Sequence, residues 1–139
     1  MSAAVGVIAR LEAITALTTL VSTRIYQAVF PQSPTLPAVR VQHIGEVRRQ
    51  HLRGDAGVIV SRVQVDSVAD GGNPITDAQA VDAAIVGDAS GSALLGFKGD
   101  SGGVFIHNVE PAGERELFDG DELRQYRVIR DVLVHWSHE

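Results

Sequence analysis

The stretch Gly57–Ala69, GVIVSRVQVDSVA, decides how the rest of the chain is read. Ile59, Val63 and Val65 fall on one side of an extended backbone, and Arg62, Gln64 and Asp66 on the other. A period of two with one apolar side predicts a strand that lays one face on a core. Upstream, AVRVQHI (Ala38–Ile44) is a second run of the same kind. Between them, GEVRRQHLRGDAG (residues 45–57) is polar, bounded by glycines and too long for a tight turn. It predicts a protruding hairpin arm.

Further upstream, VFPQSPTLP holds three prolines in nine residues, which excludes helix and predicts a stiff, extended connector. Residues 3–21 read as one amphipathic helix. Val7, Leu11, Ile14, Leu17 and Val21 form its apolar stripe, and Ser2 is placed to cap it. Downstream, DGGNP breaks the strand. Thr76 and Gln79 then spell a capping box, Asp77 favours the first turn, and Gly87 marks the stop of a second helix. Its buried side is Ala80, Val81, Ala84 and Ile85.

Residues 90–103 contain five glycines and read as loop, with at most one short element at Ala93–Leu95. Two more strands follow, at Gly103–Glu110 and Leu123–Ser137. In the second, Tyr126, Val128, Val132, Val134 and Trp136 share a face broken only by Arg130. Ile129 and Leu133 lie opposite, among Arg127, Asp131 and His135. A strand partly apolar on both sides predicts helices on one side and a neighbouring subunit on the other. The expectation is an α+β fold in a single domain, residues 1–139, with element order α-β-β-α-β-β. Its four-stranded, mostly antiparallel sheet carries two helices on one face. The arm (45–57) and an acidic hairpin (110–122) protrude from it.

Composition bounds the function. The chain has 139 residues, 45% of them hydrophobic but only 5% aromatic, so its core is built from Val, Ile, Leu and Ala. A net charge of −5 argues against a surface made to hold nucleic acid throughout. The absence of cysteine removes disulfides, thiolate chemistry and Cys-ligated zinc. The N-terminal run lacks a basic start and is interrupted by Arg10 and Glu12, unlike a signal peptide. No run reaches the roughly 18 apolar residues of a membrane span, so a soluble intracellular protein is expected.

The most conspicuous motif is GDSGG (Gly99–Gly103), which surrounds the nucleophile of chymotrypsin-like serine proteases. A small serine hydrolase using Ser101 is therefore the reading from a different functional class. His43, His51, Asp66 and Asp70 supply triad residues on paper, but such proteases need two β-barrels, and four strands do not make them. Gly-Asp also recurs at 54–55, 87–88, 99–100 and 120–121, each time where a pattern breaks, so it reads as a turn. RGD at Arg53–Asp55 reads as a solvated turn for the same reason. His135 and His138 point to opposite faces of a strand, and no metal or cofactor is expected. Two charged segments remain: Arg48, Arg49 and Arg53 in the arm, and Glu110, Glu114, Glu116, Asp119, Asp121 and Glu122 in the hairpin. Their opposite signs fit contacts between subunits, with Tyr126 and Trp136 of the closing strand as further candidate assembly contacts.

Taken in order, LVSTRIYQAVFPQSPTLPAVRVQHIG, SRVQVDSVAD, TDAQAVDAAIVG and YRVIRDVLVHW resemble the tail completion (tail terminator) family of long-tailed bacteriophages and prophages. The likeness lies in R-I-Y, the Pro-rich link with L-P before the first strand, the V-Q-V-D strand and the closing strand. It implies a structural virion protein without enzymatic activity. Such a protein forms a ring, commonly a homohexamer, at the head-proximal end of the tail, assembled in the host cytoplasm. It ends tube polymerisation and joins the head. The implied partners are further copies of itself, the tail tube protein and the head–tail connector protein, with DNA only in transit and no membrane. A head-closure or neck connector protein is the alternative within that class. An acidic hairpin facing the channel repels passing DNA; facing outward, it docks on the connector.

Overall fold

The computed structural model describes residues 2–32, 35–51, 54–87, 93–119 and 124–138. Among these the elements are, in chain order, α1 (Ala3–Glu12), α2 (Thr15–Val21), β1 (Ile25–Gln27), β2 (Ala38–His51), β3 (Gly54–Ala69), α3 (Pro74–Val86), β4 (Gly99–Ser101), β5 (Val104–Asp119) and β6 (Gln125–His138). The strands form one sheet in the order β1-β2-β3-β6-β5-β4. β1 runs parallel to β2, and every other pair is antiparallel. The sheet curls into a half-barrel.

The alternation in β3 sets which face meets the core. Ile59, Val63 and Val65 are buried in one cluster with Val39 and Val41 of β2, Ile106 of β5, and Val132, Val134 and Trp136 of β6. Val7, Leu11, Leu17 and Val21 of the first two helices and Val81 and Ile85 of α3 close over them. Trp136, 3% exposed, donates its indole N–H to Ser61 Oγ across 2.8 Å, so the largest core side chain also fixes the β3–β6 register. That register sets Ile59 against Trp136 and Val63 against Val132.

The expected architecture needs correcting in three respects. The sheet has six strands and is mixed, not four-stranded and antiparallel, because β1 and β4 are three-residue edge strands too short to show a period. Among the described residues there are three helices: the segment 3–21 is two, bent by 86°. Neither proline nor glycine lies at the break. Ile14 takes an extended conformation between them, and Leu11, Ile14 and Leu17 are all buried, so the bend keeps one apolar stripe on a curved sheet. Finally, β5 continues to Asp119, through most of the segment read as a hairpin loop.

Helix starts divide similarly. Ser2 Oγ accepts from the Val5 N–H at 3.4 Å and caps α1. α3 starts earlier than its capping box suggests, with Asn73 at the cap and Pro74 in the first turn. Proline's fixed φ and missing N–H suit that position and outweigh Thr76. Gln79, freed from capping, donates to Glu116 Oε1 at 3.0 Å. Gly87 ends the helix at φ +73.

GDSGG is a docking turn. Ser101 ends β4, and its hydroxyl donates to the Gly6 carbonyl on α1 at 2.8 Å. Gly102 has φ +60, and a Cβ there would stand 2.9 Å from the Val5 carbonyl oxygen. Gly6 answers it from the helix, where a Cβ would meet Val104 Cγ2 at 2.8 Å. The glycines let a backbone turn lie directly on a helix backbone. A nucleophilic serine donates to a base; this one donates to a carbonyl. Among the described residues no single helix is long and apolar enough to cross a membrane.

Candidate assembly surfaces

The face of the sheet opposite the helices is polar yet partly buried. Asp66 on β3 has a side chain only 1% exposed and pairs with Arg40 directly across on β2. Gln64 Nε2 donates to its other oxygen at 2.9 Å, and Arg127 Nη1 lies 3.9 Å away on β6. Arg40 also sits 5.8 Å above the Phe30 ring, which packs edge-on against Tyr26. Farther along, Arg62 Nη2 donates to Asp131 at 2.9 Å, and His135 Nε2 lies 2.6 Å from Glu110. Apart from Gln64–Asp66, which lies within β3, these polar side-chain pairs link neighbouring strands and tie the sheet together from its uncovered side.

A second cluster joins α3 to the end of the sheet. Arg130 bonds Asp82 of α3 at 2.7 Å and Glu114 of β5 at 3.3 Å. The hydrogen bonds with Asp82, then the charges of Asp82 and Glu114, hold its pKa above the ordinary arginine value although partial burial opposes them. Nearby, Tyr126 is pushed above the usual phenol range, first by desolvation, then by the charge and hydrogen bond of Glu116 and the charge of Glu114. Alkaline difference spectroscopy is expected to show Tyr126 ionising late. Glu116→Gln lowers that midpoint but leaves it elevated, because desolvation remains; an unchanged midpoint contradicts the pairing. Beside this cluster, Pro74, Ile75, Phe118, Arg124 and Tyr126 help line an open groove of about 480 Å³.

Among the described residues both margins of the sheet are largely open. β1 pairs with β2 only as far as Val41, so from Gln42 to His51 no strand among the described residues borders the outer side of β2. β4 pairs with β5 only at Val104–Ile106, and the Gly96 N–H reaches the Val109 carbonyl at 2.9 Å. From Glu110 to Asp119 the outer side of β5 is likewise unbordered among the described residues. Val47 is 68% exposed on the first margin, Leu117 48% and Phe118 49% on the second.

Of the residues singled out by sequence, Arg48 is exposed and reaches Glu46 at 3.3 Å. Glu114 and Glu116 meet Arg130 and Gln79, half-buried Tyr126 lies beside them, and Trp136 is a core residue. Arg49 and Asp119 contribute backbone to β2 and β5. Arg53, Asp121 and Glu122 lie outside the described residues. Sequence reasoning placed Asp66 on the polar side of the strand with Arg62 and Gln64 but did not find its ion pair. Its signal was chemical: aspartate is disfavoured in strands, and an arginine stood in the facing one.

Comparison with known proteins gives this arrangement a context. A profile of the family described as Tail completion protein gp17 matches residues 5–134. A chain from the solved virion of a native gene transfer agent (GTA) particle has the same fold, with a TM-score of 0.67 at 19% identity, over 98% of this chain and 99% of that chain. No curated protein matches in sequence. The profile runs from α1 almost to the end of β6, taking in both open margins and the polar face between them. The chain belongs to the tail completion protein gp17 family, and is a structural protein of the bacteriophage tail.

Proposed function

We propose that the chain forms a homohexameric ring at the head-proximal end of the tail, where it ends polymerisation of the tube and presents the surface that joins the head. The observation carrying this reading is the pair of open margins on opposite sides of one sheet. A protomer with two different unsatisfied edges suits a head-to-tail contact that repeats until it closes, and closure removes the hazard each edge poses alone. The tail tube protein and the connector are the neighbours on either side of the ring, and the chain acts by geometry, without catalysis.

The purified chain, alone and mixed with tail tubes, is expected to give annuli by negative-stain imaging and the mass of six copies. Tubes polymerised in its presence stop growing at the capped end. A chain that stays monomeric on tubes whose growth it nonetheless stops overturns the ring; tubes that grow on regardless overturn termination.

A further inference from the structure

The open margins specify how one copy meets the next. We propose that the outer edge of β2 pairs with the outer edge of β5 in a second copy of this chain, in antiparallel register, so that the sheets of successive subunits become continuous. This rests on the ring reading and deepens it.

Three observations carry the inference. The first is direction. β2 and β5 run antiparallel to each other across the sheet order β2-β3-β6-β5. A copy placed alongside in the same orientation therefore offers its β5 antiparallel to β2, the pairing used by most of the sheet. The short strands that close part of each margin do not collide. β1 covers β2 before Gln42, and β4 covers β5 before Glu110, which are opposite ends of the proposed seam.

The second is charge. The free stretch of β2 carries Arg48 and Arg49 against Glu46, and that of β5 carries Glu110, Glu114, Glu116 and Asp119 against Arg115. Pairing β5 with a second β5 sets mostly acidic residues across the seam; pairing β2 with β5 sets Arg48 against an acidic strand, with Arg49 opposite Arg115 as the one like-charged pair.

The third is face. Side chains directly opposite in a sheet must project from the same side. Val47 pairs with Val60 and Leu117 with Arg127, and both partners lie on the helix-free face with Asp66 and Asp131. A register that sets Val47 opposite Leu117 satisfies this rule. It also brings Arg48 opposite Glu116 on the other face and covers two exposed apolar side chains at once.

The chain has no cysteine, so the test is clean. Val47→Cys and Leu117→Cys, made separately at exposed positions, are mixed, allowed to assemble in solution and on tail tubes, and treated with a short bis-maleimide. The mixture is expected to give cross-linked dimers, and the double variant a ladder ending at ring size. Either single variant alone stays uncross-linked. Annuli whose mixed sample does not cross-link overturn this seam while leaving the ring intact. Cross-linking of a single variant with itself overturns it too, since that signals a two-fold contact. Absence of annuli in both settings overturns the ring reading itself.

Discussion

Replacing Asp66 by alanine is expected to cost about 3 kcal/mol of folding stability, because breaking a buried ion pair strands the partner's charge. The carboxylate is the most buried acid on the uncovered face, held by Arg40 and Gln64 with Arg127 close by. Its removal leaves two guanidinium groups, each only about a fifth exposed, facing one another without the anion between them. For a chain of this length the loss corresponds to a fall of about 10 °C in melting temperature. Asp66→Asn keeps the volume and one acceptor, and falls between wild type and alanine. Urea titration of the three proteins checks the order. An alanine variant within about 0.5 kcal/mol of wild type, the range of a neutral surface substitution, shows the cluster to be solvated.

The second large effect falls on the protease-like motif, and on its glycine instead of its serine. Ser101→Ala loses one hydrogen bond to the Gly6 carbonyl and costs about 1 kcal/mol. Gly102→Val is expected to cost about 3 kcal/mol or more, since it combines a positive φ with a forced contact against the α1 backbone. The valine Cβ would stand 2.9 Å from the Val5 carbonyl oxygen and 3.2 Å from Gly6 Cα, backbone atoms that cannot swing aside, so α1 must lift from the sheet. Thermal melts of the two variants distinguish the readings. If Gly102→Val is as mild as Ser101→Ala, the turn does not bear on the helix as described. If Ser101 is stoichiometrically labelled by a fluorophosphonate, the hydroxyl is a nucleophile and its bond to Gly6 is not maintained.

How far the fold could be read from sequence follows from what each element buries. β2, β3 and β6 alternate because one face meets helices, so their apolar residues keep a period of two. β5 was read too short because past Val109 it leaves the core. Glu110, Pro111, Gly113 and Glu114 carry no apolar period, and a bulge between Pro111 and Gly113 breaks what remains. The arm shows the same effect. β2 and β3 stay paired as far as His51 and Gly54, where polar sequence signals only exposure. The break between α1 and α2 has no local mark, since the sheet's curvature imposes it from across the core. As for the candidate contacts, opposite charge on two segments was legible, but not that these segments are opposite margins of one sheet. Topology alone supplies that.

The sheet order has a kinetic consequence. Its two central neighbours, β3 and β6, are separated along the chain by α3, β4 and β5, whereas β2–β3 and β5–β6 are each joined locally. The hairpins close over short loops, but their docking along β3 and β6 must bring distant segments together, which makes it the slow step of folding. Until then each hairpin has two open sides. The inner ones are the edges of β3 and β6, the strands that carry Ile59, Val63 and Val65 and Val132 and Val134 on their core face. Docking pairs these two edges with each other and leaves the outer margins of β2 and β5 on display. The speed of that one event therefore sets how long a newly made chain is exposed to pairing with another copy along the wrong strand.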